Sequence, residues 1–299
     1  MKIWYNKDKL NLQEFIQEKF LFLPLYSKEL IDQSNDFKNN DWSNKIKDIV
    51  EYTSIDDADY LVYHDKFDQG ILEYTQYSNR KPILAFFNDD SCKSISDELP
   101  KNVYVFRTSI NKSRQKQNEL ALPAWSNDFK CSKYYPSIDE PVISFCGAIT
   151  DPVRSKCIQQ LESNTDLKTN FIIRNAFWGG SIHNATLRQE YINNIQKSHM
   201  VLCCRGAGNF SYRLYETLSC GRIPVIVDTD LSLPCSDKVN WDKFIVTTPE
   251  KINKNINEWW SKHDPKNLKK LFKYSRFVYD KFLTPAGFAS YINNYKGIV

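Results

Sequence analysis

The chain has 299 residues, of which 41% are hydrophobic and 25% charged, and its formal net charge is +4. These values are those of a globular protein with apolar material for two cores, and they exclude a disordered chain and a strongly basic nucleic-acid-binding protein. The N-terminal part alternates predicted strands and helices along the chain. Strands are predicted at residues 3–5, 58–63, 82–87 and 102–106, and helices at 10–19 and 42–52.

A stretch with three prolines, residues 122–141, interrupts this alternation and predicts a domain boundary. Beyond it, strands are predicted at 142–147, 170–174, 201–204, 223–227 and 244–246, with helices beginning near Val153, over 187–197 and over 266–282. Strands separated by helices are typical of parallel sheets covered on both faces. We therefore predict an α/β fold with two Rossmann-like domains, residues 1–138 and 139–299, and the last helix as a segment that crosses back to the first domain.

A glycine-containing loop joins the predicted strand 201–204 to a helix that Ser211 is expected to cap and Gly221 to end. The N-terminus of this helix points into the loop, where free N–H groups and the helix dipole favour an anion such as a pyrophosphate. Tight packing of the strand against the helix produces the same pattern, so the loop alone is a weak signal.

Charged side chains around this loop suit a nucleotide. Arg205 and Arg213 offer forked donors to phosphates, and Glu216 is placed to accept from the vicinal hydroxyls of a ribose. The candidate ligand-binding residues of the segment are Arg205, Gly206, Gly208, Asn209, Ser211, Arg213 and Glu216.

Three short motifs follow one another: Arg-Gly at residues 205–206, Ser-x-Arg-Leu-x-Glu at 211–216 and Gly-x-Ile-Pro-Val at 221–225. This order resembles the donor-binding region of exostosin-like glycosyltransferases, the inverting enzymes of family 47. Two departures are minor: Cys204 precedes the arginine, and Thr217 replaces the usual alanine. The resemblance is good over residues 198–246 and faint before residue 141. It therefore covers the donor side far better than the acceptor side.

The resemblance implies the GT-B architecture, in which two Rossmann-like domains face each other across a cleft. It also implies inverting transfer of a sugar, of hexosyl or glucuronosyl type, from a UDP-sugar to a glycan acceptor. Two alternatives stay open: a retaining GT-B glycosyltransferase, and a non-catalytic glycan-binding or partner subunit that keeps the donor fold.

Two further segments follow predicted strands of the second domain, where ligands of open α/β sheets bind. Gly147 and Arg154 follow strand 142–147 and are candidates to meet the donor phosphates; a plain turn with a solvated arginine is an equal alternative. Loop 175–183 is rich in glycine and aromatic residues and is a candidate to contact the donor sugar or cover the cleft. The alternative is an irregular surface loop without such a role.

Inverting transfer needs a general base for the acceptor hydroxyl. By analogy with the family, the base is expected in the N-terminal domain, and the candidates are Asp65, Asp89 and Asp90, which follow predicted strands. Each is also explained as a solvated turn acid or a helix cap. Because Asp89 and Asp90 are adjacent and so project in different directions, they are a poor match to a metal-binding pair, and we predict no metal site and no cofactor beyond the nucleotide-sugar substrate.

The eight cysteines include no Cys-x-x-Cys pair, which argues against zinc and, with their place in apolar runs, against disulfides. A secretory signal and a long apolar run are both missing from the sequence, and this favours a cytoplasmic protein. The basic segment 266–282 has two interpretations. We favour a helix packed on the core with a solvated lysine face over a peripheral membrane contact near a lipid-linked acceptor.

Overall fold

The structure is a computed structural model of the chain. It describes residues 1–5, 46, 48–63, 71, 75–77, 81–87, 90–91, 99–125, 128–129, 140–176 and 184–298. The predicted helix at 10–19 and the predicted domain boundary at 138/139 lie outside these residues.

The chain divides into two compact units. The first comprises Met1–Trp125, Ser232–Cys235 and Lys281–Val299, and the second comprises Ser126–Leu231 and Ser236–Asp280. The C-terminal segment thus belongs with the first unit, although it follows the second in the chain.

The strands in the described residues are β1 (Lys2–Trp4), β2 (Glu51–Tyr52), β3 (Tyr60–Tyr63), β4 (Ile83–Phe87), β5 (Val103–Arg107), β6 (Glu119–Ala121), β7 (Val142–Ala148), β8 (Lys168–Arg174), β9 (Met200–Cys203), β10 (Ile223–Val227) and β11 (Ile245–Thr247). The α-helices are α1 (Pro152–Glu162), α2 (Ala185–Gln196), α3 (Tyr212–Ser219), α4 (Ile252–Ser261), α5 (Pro265–Val278) and α6 (Pro285–Asn293). A π-helical turn, Tyr279–Leu283, follows α5.

The first unit contains a six-stranded sheet in the order β2-β1-β3-β4-β5-β6, and its strand pairs are parallel. Strands β4 and β5 are buried along their whole length, as continuous apolar runs of a covered parallel sheet are. The ring of Phe106 stacks on that of Phe86, with 5.0 Å between the ring centroids. It meets the ring of Phe288 of α6 edge-on, with 5.9 Å between the centroids. The returning C-terminal helix is therefore part of the core of this unit.

The second unit contains a five-stranded parallel sheet in the order β11-β10-β9-β7-β8. Helices α1 to α5 belong to this unit. Its strands β9 and β10 are fully buried. Two separate parallel sheets with helices confirm the predicted fold class, an α/β protein built from two Rossmann-like units of the GT-B type.

The second predicted helix of the N-terminal part is wrong at its end. The helix predicted over 42–52 does not reach residue 52, because Glu51 and Tyr52 form β2 and pair in parallel with Lys2 and Ile3 of β1. The helical spacing of residues 42–52 is local, whereas this strand pairing joins residues far apart in sequence.

Helix α5 packs on the core of its unit through Leu268, Phe272, Ser275 and Val278, all buried, and this confirms the predicted packing of the basic segment. The helix ends at Val278, earlier than the predicted 282, where the π-helical turn begins. Among the described helices, none has the length and hydropathy of a membrane-spanning segment.

The expectation that the cysteines form no disulfide is wrong for Cys220, which is disulfide-bonded. The five cysteines described as free are Cys146, Cys157, Cys203, Cys204 and Cys235. Spacing in the sequence identifies local metal motifs, but it carries no information on which distant cysteines meet in the fold.

Candidate functional site

The glycine loop, residues 204–210, leaves the sheet at the carboxyl end of β9 and leads into α3, as predicted. Ser211 stands at the N-cap in an extended conformation, but its hydroxyl makes no capping hydrogen bond. Within the loop, the amide of Gly206 donates to the carbonyl of Phe210 at 3.3 Å. The loop therefore folds back on itself directly before the helix N-terminus.

Asn209 holds the loop in place. Its Nδ2 donates to the carbonyl of Thr229 at 3.1 Å, and its Oδ1 accepts from the Thr229 hydroxyl at 2.6 Å. The residue is 1% exposed. Asn209, predicted as a ligand-binding residue, thus joins the loop to the segment after β10 in this structure.

Arg276 fixes the other end of α3. Its Nη1 donates to the carbonyl of Ser219 at 2.7 Å, and its Nη2 lies 2.7 Å from a carboxylate oxygen of Asp128 and of Asp280. The guanidinium thus lies at the carbonyl end of the helix, where a cation is favourable. Both ends of the short helix are thus anchored.

Two guanidinium groups lie close together at the carboxyl ends of β7 and β9. Arg154 of α1 donates through Nη1 to the Ala148 carbonyl at 2.9 Å and through Nε to the Arg205 carbonyl at 2.8 Å. Arg213 of α3 donates through Nη2 to the Cys146 carbonyl at 2.8 Å. Each arginine thus connects its helix to a strand end or to the glycine loop.

Burial and the charge of Arg213 together lower the pKa of Arg154 to about 10. Both residues are 8% exposed, and within the part of the chain that the structure describes neither forms an ion pair with a carboxylate. Burial lowers the pKa of Arg213 as well, but Tyr191, Cys203 and Glu216 outweigh it, and the net shift is upward. Two adjacent buried cations make a place where an anion is stabilised.

Two glycines leave room for these guanidinium groups. A Cβ atom on Gly147, at φ +155°, would lie 2.8 Å from Nη2 of Arg213, and one on Gly206 would lie 3.3 Å from Nη2 of Arg154. The 2.8 Å distance is too short for any side chain unless the guanidinium moves. Gly147 and Arg154 were predicted as one segment, separate from the glycine loop, and the structure places this segment beside the loop and Arg213.

Arg205 is more exposed than these two residues. Its Nε lies 3.5 Å from Oδ2 of Asp151, and its Nη2 donates to the Ala207 carbonyl at 3.0 Å. Asp151 also caps α1, because its Oδ1 accepts from the amide of Val153 at 2.8 Å. Asp151 is not among the residues predicted from the sequence, although an acidic residue before Pro152 is a helix-start signal.

Glu216 of α3 is 3% exposed and is held by two residues of α2. The Tyr191 hydroxyl donates to Oε2 at 2.5 Å, and Nη2 of Arg188 lies 3.5 Å from Oε1. Arg188 also lies over the ring of Phe129, 4.6 Å from its centroid. Tyr191 and Arg188 are not predicted from the sequence, because nothing in the helical pattern of α2 shows which helix it faces.

The predicted base candidates lie in the first unit. Asp90 is exposed after β4, and its carbonyl accepts from the Ser109 hydroxyl at 3.2 Å. Asp65 and Asp89 are outside the described residues, as are residues 177–183 of the predicted sugar-contacting loop; Asn175 and Ala176 are exposed after β8. Among the described residues, no three His, Cys, Asp or Glu side chains converge as metal ligands would.

The second of the two Rossmann-like units carries a glycine loop and buried arginines at its strand ends. This arrangement is typical of α/β proteins that bind phosphate-bearing ligands. The model of the Exostosin GT47 domain matches residues 60–259, and the chain belongs to this family of glycosyltransferases.

Curated relatives agree over shorter stretches. The chain is 30% identical over 96 residues to an exostosin-1 homolog of Caenorhabditis elegans, a match that covers 32% of the chain and 25% of that protein. It is 37% identical over 62 residues to the probable glucuronosyltransferase GUT1 of Oryza sativa subsp. japonica, covering 21% of the chain and 15% of that protein. These matches thus span a quarter or less of the relatives' length.

The fold of the chain is similar to a solved structure of a mutant of S. aureus TarM, with a TM-score of 0.45 at 9% sequence identity. That structure was determined in complex with Fondaparinux, alpha-GlcNAc-glycerol and UDP. That likeness covers 78% of this chain and 54% of TarM.

Proposed function

We propose that this chain transfers a sugar from a UDP-sugar to a glycan acceptor with inversion at the anomeric carbon. The observation that carries the proposal is the pair of buried guanidinium groups, Arg154 and Arg213, at the carboxyl ends of β7 and β9 beside a helix N-terminus. Family membership supports sugar transfer as the reaction.

In the proposed reaction the acceptor hydroxyl oxygen attacks the anomeric carbon, and the bond from this carbon to the diphosphate oxygen breaks. A general base takes the hydroxyl proton, and UDP leaves with the electron pair of the broken bond. Negative charge grows on the diphosphate as it departs. Arg154, Arg213 and the amides at the start of α3 would stabilise this charge. The two guanidinium groups are already oriented by their carbonyl partners.

Glu216 would accept from the ribose hydroxyls of the donor, one turn along α3 from the phosphates. Arg205, more exposed than the two buried arginines, would supply further donors to the diphosphate. We further propose an acceptor that is a glycan, lipid-linked or free, a transferred sugar of hexosyl or glucuronosyl type, and a cytoplasmic site of action with peripheral membrane contact as an option. No nucleic-acid partner is proposed.

Calorimetry and thermal shift with UDP, GDP, CMP, dTDP and their sugars test the donor. UDP compounds are expected to raise the melting temperature most, because a ligand that binds only the folded state stabilises it by about 2.7 kcal/mol at about 100 times its Kd. A chain that binds none of these nucleotides contradicts the proposal. Binding of UDP without any transfer favours the non-catalytic alternative, and a product with retained configuration favours the retaining one.

Replacement of Glu216 by alanine is expected to weaken UDP binding by about 1–3 kcal/mol, because hydrogen bonds between ribose hydroxyls and a charged acceptor are lost. Calorimetry measures the effect. Glu258→Ala on α4 is the matched control, since Glu258 is half-exposed to solvent and pairs with Lys254 at 3.7 Å. Equal UDP affinity in Glu216→Ala and the control would show that the ribose is bound elsewhere.

Transfer is expected to continue in EDTA with little loss of rate. The reason is that arginines and helix amides would stabilise the negative charge of the leaving diphosphate, as a divalent cation does in other transferases. The measurement is turnover before and after chelation, with Mg²⁺ or Mn²⁺ added back. A rate that collapses with EDTA and returns with the metal would overturn this part of the mechanism.

A further inference from the structure

The buried carboxylate of Glu216 is held from two sides by α2. We propose that Tyr191 and Arg188 are positioning residues that orient Glu216 toward the 2′- and 3′-hydroxyls of a ribose. On this basis the site selects ribonucleoside over deoxyribonucleoside diphosphates. The inference rests on the proposed function, because it requires a nucleoside diphosphate at the glycine loop.

Tyr191 fixes one carboxylate oxygen. Its hydroxyl donates to Oε2 of Glu216, and burial, together with the charge of Glu216, raises the pKa of Tyr191 well above its ordinary value. The phenol therefore keeps its single proton, and that proton is committed to Oε2. The Tyr191 ring also packs edge-on against the ring of Phe129, with 6.0 Å between the ring centroids.

Arg188 acts on the other oxygen without saturating it. The distance of 3.5 Å between Nη2 and Oε1 is beyond the range of about 2.7–3.2 Å of good N–H···O hydrogen bonds. The guanidinium thus holds the carboxylate by charge while lone pairs of Oε1 stay available to a ligand hydroxyl. The guanidinium is itself held over the rings of Phe129 and Tyr191, 4.6 and 5.7 Å from their centroids.

Selectivity follows from this arrangement. A carboxylate that is free to rotate would turn toward solvent or another donor when the ligand lacks a hydroxyl. Glu216, with one oxygen tied to Tyr191, has little such freedom. A deoxyribose would therefore leave a buried, charged acceptor with an unmade hydrogen bond, which is costly.

The test is calorimetric binding of UDP and 2′-deoxy-UDP to the wild-type chain, Tyr191→Phe, Arg188→Met and the control Tyr274→Phe. Tyr274 is half-buried on α5 and stacks on Phe244 at 5.8 Å, a contact that phenylalanine keeps. Wild type and control are expected to prefer UDP at least about tenfold. Tyr191→Phe and Arg188→Met are each expected to reduce this preference to less than about threefold, with most of the loss in UDP affinity.

The outcomes separate the inference from the proposed function. Wild-type chain that binds neither nucleotide overturns the proposed function itself. Wild-type chain that binds both equally overturns the inference alone. So does a Tyr191→Phe variant that keeps the ribose preference, or one that loses both nucleotides to the same extent. If Tyr191→Phe fails to fold, Arg188→Met decides by the same criterion, since the Arg188 side chain is only partly buried and its replacement leaves no enclosed cavity.

Discussion

Replacement of Arg213 by methionine is expected to lower kcat/KM for transfer by about 100- to 1,000-fold, the usual effect of removing one preorganised donor from developing negative charge. Arg213 donates to the Cys146 carbonyl at 2.8 Å and lies over the Phe145 ring, 4.3 Å from its centroid. Methionine preserves much of the ring contact but removes the charge. Steady-state kinetics with a UDP-sugar measure the effect.

Arg222→Met is the matched control for this prediction. Arg222 is 1% exposed and donates to the Cys220 and Gln196 carbonyls at 3.1 and 2.8 Å. It directly precedes β10, so it lies at the amino ends of the strands, whereas Arg213 lies at their carboxyl ends. Its loss is expected to lower stability and leave kcat/KM of the folded fraction nearly unchanged. If both variants lose activity in proportion to folded protein, the role of Arg213 is structural.

One of the variants Asp65→Asn, Asp89→Asn and Asp90→Asn is expected to lose about 100- to 10,000-fold in turnover while its UDP affinity stays normal. The physical reason is that a general base acts on the acceptor proton and not on the donor phosphates. Turnover, UDP affinity and the anomeric configuration of the product are measured for each variant.

The pattern across the three variants decides the outcome. Near-normal turnover in all three places the base elsewhere in the chain. A variant that loses turnover and UDP affinity together points to a folding defect, which its melting temperature would reveal. Of these residues only Asp90 is described, as an exposed residue after β4.

The local elements around the glycine loop follow closely from the sequence. Strand β9, the loop and the N-cap of α3 at Ser211 lie where apolar runs and turn signals predict them. These features depend on neighbours within a few residues, which single-sequence patterns report well. The end of the predicted helix at residue 52 was wrong, because a parallel partner at β1 decides the conformation of β2.

The sequence by itself determined the α/β class, the glycine loop and the family resemblance, because each is carried by contiguous residues with a local period or motif. Only the tertiary structure decided that Arg154 lies beside Arg213, that Asn209 ties the loop to Thr229, and that Cys220 is disulfide-bonded. It also brought Tyr191 and Arg188 of α2 against Glu216 of α3. Such contacts join side chains from separate elements, and their distances depend on how helices pack on the sheet, which no local pattern encodes.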